Sequence, residues 1–213
     1  MCTLLLTSCF DVIDEVTMHE DGSGEFLLTV NMSKSKTKLT SIMLLDSIKG
    51  FRVPSKEEIN ANINNWVEFL ENSQGISNVK KTTDFNEFIF TLGFSFLSVE
   101  NINQAIEKIV IKNKQSTESF NLRYEFNPIK KEFSRHYTPN NADKNRYDKL
   151  DQEDKTIFNE AVYVSIVRFN NEVANCTNKK AVISKSGKAV MIRTFASNIF
   201  AGNQNLSNTI QLK

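Results

Sequence analysis

Apolar and polar residues alternate with a period of two in several segments, a pattern typical of strands with one buried face. In residues 88–97 one face holds only apolar side chains: Phe88, Phe90, Leu92, Phe94 and Phe96. A second alternation, from Val16 to Met32, is interrupted by Asp-Gly-Ser-Gly at 21–24, where glycine permits the positive φ of a tight turn. It predicts a β-hairpin. Shorter strands are predicted at 77–83, 120–126, 132–137, 162–166, 181–183, 189–194 and 209–212.

Apolar residues spaced three or four apart predict helices in other segments. Residues 39–48 show this spacing and end near Gly50. A second helix opens after Pro54, where Ser55 and Glu58 have the spacing of a capping box. Residues 102–110 form a third helix after Ser98, and a weaker pattern surrounds residues 147–158.

These elements mix without strict strand–helix alternation, which favours the α+β class. We expect a mostly antiparallel sheet of hairpins with about three to four helices packed on it. The order of strand 88–97, helix 102–110 and strand 120–126 permits a right-handed crossover. The 213 residues suit a single domain over 16–213, with a possible sub-boundary in the polar stretch near 138–150.

Composition narrows the chemistry that this domain can perform. A net charge of +1 gives no general attraction to nucleic acid, which we exclude as a partner. His19 and His136 lie in no metal-spaced cluster, and residues 21–25 lack the spacing of a calcium loop. We therefore expect no metal, no cofactor and no catalytic residue. The acidic group at 151–154 and the lysines at 34–38 and 179–188 are most simply solvated, although lysines can also contact anionic lipids.

The first residues indicate an attachment point. Residues 6–9, Leu-Thr-Ser-Cys, follow an apolar run and resemble the lipobox of bacterial lipoproteins. The resemblance implies that residues 1–8 are the end of a signal peptide and that Cys9 carries a diacylglycerol. Residues 9–15 would then be the lipid anchor and a short tether, although 11–15 also fit a strand. Only eight residues precede Cys9 and none is basic, so we expect the true start upstream. The alternative is a first strand with Cys9 as a core thiol.

Beyond the lipobox, residues 16–33 form a strand, an Asp-Gly-Ser-Gly turn and a second strand. Together with residues 6–9 they resemble uncharacterised bacterial lipoproteins, including the LppM type. The resemblance implies a location in the cell envelope, with membrane lipid as a partner through acylated Cys9. We expect a module that binds a protein or lipid ligand, or assists envelope assembly, without catalysis. An envelope hydrolase with a dispersed active site is the alternative, and a cytoplasmic protein with a chance Leu-Thr-Ser-Cys is the third possibility.

Overall fold

A computed structural model describes residues 10–112, 122–139 and 141–213. Its strands are β1 Asp11–Met18, β2 Gly24–Asn31, β3 Ser47–Ile48, β4 Phe51–Arg52, β5 Ile76–Asp84, β6 Ile89–Phe96, β7 Leu122–Asn127, β8 Glu132–Tyr137, β9 Val162–Phe169, β10 Val173–Cys176, β11 Val182–Ile183, β12 Ala189–Phe195 and β13 Asn208–Leu212. Its helices are α1 Lys36–Ile42, α2 Lys56–Glu71, α3 Val99–Lys112, α4 Asn141–Asp148, α5 Gln152–Glu160 and α6 Ala196–Phe200, with a 3₁₀ turn at Ser33–Ser35.

The strands form two main sheets and a separate short hairpin. The larger sheet has the order β11-β12-β9-β1-β2-β6-β5, and the smaller one has the order β10-β13-β8-β7. β3 and β4 pair only with each other. Within the larger sheet β1 pairs with β2 antiparallel and with β9 parallel. β1 is therefore an interior strand, and the predicted β1–β2 hairpin is confirmed.

The hydrophobic core lies between the two sheets. Val16 and Met18 of β1 lie opposite Val167 and Phe169 of β9. All four side chains are buried in one cluster with Phe133 of β8 and with Ile210 of β13. Because side chains alternate across a strand, the position two residues before Val16 also faces this core. That position is occupied by Asp14, which is a charged residue.

Helices α2 and α3 complete the core beside strands β5, β6 and β7. Leu70 of α2 and Ile102 of α3 are buried within it. The predicted capping box of α2 is confirmed: the Ser55 hydroxyl accepts from the Glu58 amide, and the Glu58 carboxylate accepts from the Ser55 amide. This helix starts where local sequence chemistry requires it to start.

The α+β class is confirmed, with three corrections to its details. The predicted single sheet is two sheets, and the described part of the chain has six helices rather than three to four. The predicted crossover is wrong, because the strand at 89–96 and the strand beginning at Leu122 lie in different sheets. Residues 11–15, which the sequence allowed to be either a tether or a strand, belong to β1.

The predicted helix over 39–48 needs a further correction. α1 ends at Ile42, and Ile48 pairs with Phe51 in the β3–β4 hairpin instead. Lys49 and Gly50 both have positive φ, as a two-residue hairpin turn requires. The apolar spacing was misleading because Leu44, Leu45 and Ile48 are exposed and form no buried helical stripe.

Candidate functional site

A buried cluster of polar side chains lies between the two sheets. β1, β8 and β9 contribute Asp14, Arg135, Tyr163 and Ser165, and β7 adds Tyr124. Asp14 is only 5% exposed and Arg135 only 3%. Burying a carboxylate and a guanidinium is costly unless each finds partners, so the hydrogen bonds of this cluster determine whether it is stable.

The Asp14 carboxylate accepts hydrogen bonds from three hydroxyl groups. Tyr163 Oη donates to Oδ1 at 2.7 Å, and Tyr124 Oη donates to Oδ2 at 3.1 Å. Ser165 Oγ also donates to Oδ2, at 3.4 Å. The Arg135 Nη1 atom lies 3.5 Å from the same oxygen. A cation and three oriented hydroxyl groups therefore surround the carboxylate and supply the partners that its burial requires.

Arg135 reaches the same hydroxyls from the opposite sheet. Its Nη1 donates to Ser165 Oγ and its Nη2 donates to Tyr163 Oη. Each of these hydroxyls thus accepts from the guanidinium and donates to the carboxylate of Asp14. The guanidinium carbon also lies 5.9 Å from the ring centroid of Tyr124 and 5.6 Å from that of Tyr163, within cation–π range.

The electrostatics of the cluster favour a charged Arg135 and neutral tyrosines. Burial opposes the charge of Arg135, but the oxygens of Tyr163 and Asp14 outweigh it and raise the pKa of the guanidinium. Burial and the nearby Asp14 charge raise the pKa of Tyr124 well above its usual value. Burial likewise raises the pKa of Tyr163. Within this cluster, the buried Nε of Arg135 has no hydrogen-bond partner among the described residues.

An apolar cavity of about 320 Å³ adjoins this cluster. Arg135 and Tyr163 line it together with aromatic rings from three segments, those of Phe10, Phe158 and Phe200. The Phe158 ring packs edge-on against Phe10 at 6.3 Å and against Phe200 at 5.2 Å. Helices α5 and α6 therefore supply one wall, and the ends of β1, β7, β8 and β9, with Asp143 of α4 and Leu206, supply the rest.

This arrangement has the composition of a small-molecule site: mostly apolar walls and a few placed polar groups. The formal charges of Asp14 and Arg135 cancel, so the cluster has no net charge to attract an ion. Among the described lining residues none is a histidine or a cysteine. The geometry thus suits binding of an uncharged group.

Sequence reasoning missed the residues of this site. Asp14 lay in the segment left open between tether and strand, and Arg135 and Tyr163 were not singled out. One clue was available: Asp14 and Arg135 are charged residues on the otherwise apolar face of strands with an alternating pattern. The predicted attachment residue, Cys9, lies outside the described residues. It directly precedes Phe10, whose ring lines the cavity.

The two histidines lie at the surface. His19 Nδ1 is 3.0 Å from Ser23 Oγ, and His19 Nε2 is 3.4 Å from a Glu25 oxygen. This resembles a Ser–His–Glu arrangement, but the Ser23 hydroxyl donates its proton to Asp21 at 2.7 Å. That bond also lowers the pKa of Asp21. Ser23 therefore has no proton to give to His19, and the group stabilises the β1–β2 turn.

His136 lies 3.4 Å from Glu125 on the exposed face of β8. No three His, Cys, Asp or Glu side chains are grouped to hold a metal ion in residues 10–112, 122–139 and 141–213. The acidic group at 151–154 instead surrounds Lys49. Cys176 is a free thiol at the end of β10, and its partial burial raises its pKa.

Among the described helices, none has both the length and the apolar composition needed to cross a bilayer. No family model matches the chain, and no curated protein matches it. One solved structure that resembles it is the NMR structure of the folded domain of LppM from Mycobacterium tuberculosis. The similarity has a TM-score of 0.44 at 14% sequence identity, and it covers 100% of this chain and 95% of that one.

Proposed function

We propose that this chain is a lipid-anchored cell-envelope protein whose domain binds a small, uncharged amphiphile in the cavity beside Arg135. The observation that carries the proposal is an apolar cavity whose few polar lining residues include the buried, charge-compensated Arg135 and Tyr163. The anchor rests on the sequence of residues 6–9, and Cys9 is the residue to which the lipid would be attached. Binding, rather than catalysis, is the activity.

The size and polarity of the cavity define the class of ligand. Its volume lies at the lower end of the range of about 300–1,000 Å³ that is common for ligand pockets. Its aromatic wall favours an alkyl chain, and the few polar lining residues, Arg135 and Tyr163 among them, favour one hydrogen-bonding group at the end of that chain. The lining contains the carboxylate of Asp143, and the positive charge of Arg135 is already compensated by Asp14. We therefore expect an alcohol, amide or ester head group in preference to an acid.

Calorimetric titration with two ten-carbon probes tests this preference. The full chain with Cys9→Ser, which prevents acylation, should bind decanol and bind decanoate at least about tenfold more weakly at neutral pH. The difference follows from the like charges that the carboxylate would meet. Absence of decanol binding to a folded protein, or tighter binding of decanoate, would contradict the proposed ligand class.

A cavity-filling substitution supplies the matched control. Ile199 of α6 lines the cavity, and Ile183 of β11 lies exposed outside it. Ile199→Trp should abolish decanol binding while the far-ultraviolet circular dichroism stays unchanged, and Ile183→Trp should leave binding intact. Unchanged decanol binding in the Ile199→Trp variant would show that decanol binds elsewhere.

The anchor has a separate test. Mass spectrometry of the mature protein, expressed in bacteria with its natural upstream sequence, should find a lipid-modified Cys9 at the N-terminus. An unmodified Cys9 would overturn the anchor and leave the cavity proposal standing, because the ligand titration uses an unacylated chain.

A further inference from the structure

Four exposed apolar residues lie within eight positions of the chain in and just before the β3–β4 hairpin. We refer to Leu44, Leu45, Ile48 and Phe51 as the hairpin patch. Leu44 is 83% exposed and Phe51 is 77% exposed. Ile48 and Phe51 form a cross-strand pair, which places both side chains on one face of the hairpin. Single exposed apolar residues are ordinary, but four within eight positions form a local apolar surface.

The tip of this hairpin contacts helix α5. Lys49 Nζ lies 3.2 Å from Asp151 and 2.9 Å from Asp154, both at the first turn of that helix. Further along α5, the Phe158 ring packs against Phe10. Seven residues of helix separate Asp151 from Phe158, which corresponds to roughly 10 Å. The hairpin that carries the patch and Phe10, the residue that follows Cys9, therefore both contact the same short helix.

We propose that the hairpin patch inserts into the surface of the lipid bilayer to which Cys9 attaches. This inference rests on the proposed anchor. An acyl group on Cys9 holds the α5 side of the domain at the bilayer, and the patch is the exposed apolar surface fixed to that side. Burial of its side chains in lipid adds an attachment to the acyl chains and fixes the orientation of the domain.

Charges around the patch indicate which lipids it contacts. Arg52 forms an ion pair with Glu58, and Lys49 is surrounded by three carboxylates. The neighbourhood therefore offers no excess positive charge to anionic head groups. Insertion is apolar, requires no anionic lipid, and depends little on salt.

Depth-dependent fluorescence quenching in the anchored protein tests the proposal. The full chain with Cys2→Ser, Cys176→Ser and Trp66→Phe is coupled through Cys9 to a maleimide lipid in phosphatidylcholine vesicles. An indole introduced by Phe51→Trp reports on the patch. A matched indole, introduced by Ile129→Trp, reports on a residue that is 94% exposed in the β7–β8 turn.

Brominated phosphatidylcholine should quench the Phe51→Trp indole at least about threefold more than the Ile129→Trp indole, at low and at high salt alike. Equal quenching of both indoles, or none at position 51, would overturn the proposal. Concentration-dependent emission from the Phe51→Trp indole without vesicles would also overturn it, because a second copy would then cover the patch. Coupling through the maleimide makes the result independent of natural acylation and of ligand binding in the cavity.

Discussion

Two clusters in this protein each place one cation among several oxygen atoms, and they differ chiefly in exposure. Arg135 lies 3.5 Å from Asp14 in the core, where its neighbours are buried hydroxyls and aromatic rings. Lys49 lies 2.9–3.2 Å from Asp154, Asp151 and Glu153 at the surface. The surface cluster has more ionic contacts at shorter distances, yet water and salt screen them.

The number of ion pairs in a cluster is therefore a poor guide to how much the cluster contributes to stability. In the core, removal of one partner leaves an uncompensated charge that water cannot reach. At the surface, a released charge is solvated at once. The pKa of Lys49 is raised by hydrogen bonds to Asp154 and Asp151, but this shift in an exposed group carries little stability.

The largest expected effect comes from breaking the buried pair. Asp14→Leu leaves Arg135 charged and unpaired in the core, and we expect it to lower the free energy of unfolding by about 3–5 kcal/mol. Urea denaturation at neutral pH, followed by circular dichroism, measures this loss. A loss below about 1 kcal/mol would mean that water reaches Arg135 despite its burial.

A double variant sharpens this prediction. Arg135→Met combined with Asp14→Leu removes both charges, so the second substitution should restore much of the stability that the first one removed. If the two losses simply add, the charges are not coupled, and the apolar contacts of the cluster carry its stability.

A smaller effect is expected at alkaline pH. The folded-state pKa of Tyr163 is raised above its unfolded value, by burial first, so this tyrosine contributes stability that is fully present below about pH 10. That contribution is lost as the pH rises toward the folded-state pKa. Urea midpoints should therefore fall above about pH 10, and Tyr163→Phe should flatten the fall. An equally steep fall in that variant would assign the effect to other groups.

The smallest effect is expected at the surface cluster. Lys49→Met should change the melting temperature only slightly. The direction of the change depends on how strongly the three carboxylates repel one another once the cation is removed. Added salt should diminish whatever difference is present, because these groups are exposed. Thermal melts at low and high ionic strength measure it. A large, salt-independent loss of melting temperature would mean that Lys49, like Arg135, stabilises the protein through contacts that water and salt do not screen.

What the sequence predicted well was local. The Asp-Gly-Ser-Gly turn and the Ser55–Glu58 capping box depend on residues within a few positions of one another, and the structure contains both. The site could not be predicted in this way, because Asp14 and Arg135 are 121 positions apart and meet only when two sheets pack. The prediction of a helix that reaches Ile48 was wrong for a related reason. The spacing of apolar residues shows that they would share one face of a helix, but it does not show whether other residues pack on that face. The role of Cys9 stays a prediction.

The parallel pairing of β1 with β9 bears on how the chain acquires its structure. β2 reaches one edge of β1 within a few residues, but the strand for the other edge begins only at Val162. Until then, an apolar strand has an open edge that another chain could join. Asp11, Asp14 and Glu15 lie on that strand, and their charges oppose such pairing. The Asp14 carboxylate, which pairs with Arg135 in the folded protein, thus also opposes aggregation of the partly folded chain. Contacts between residues that are far apart in the sequence make folding slow and prolong this exposure.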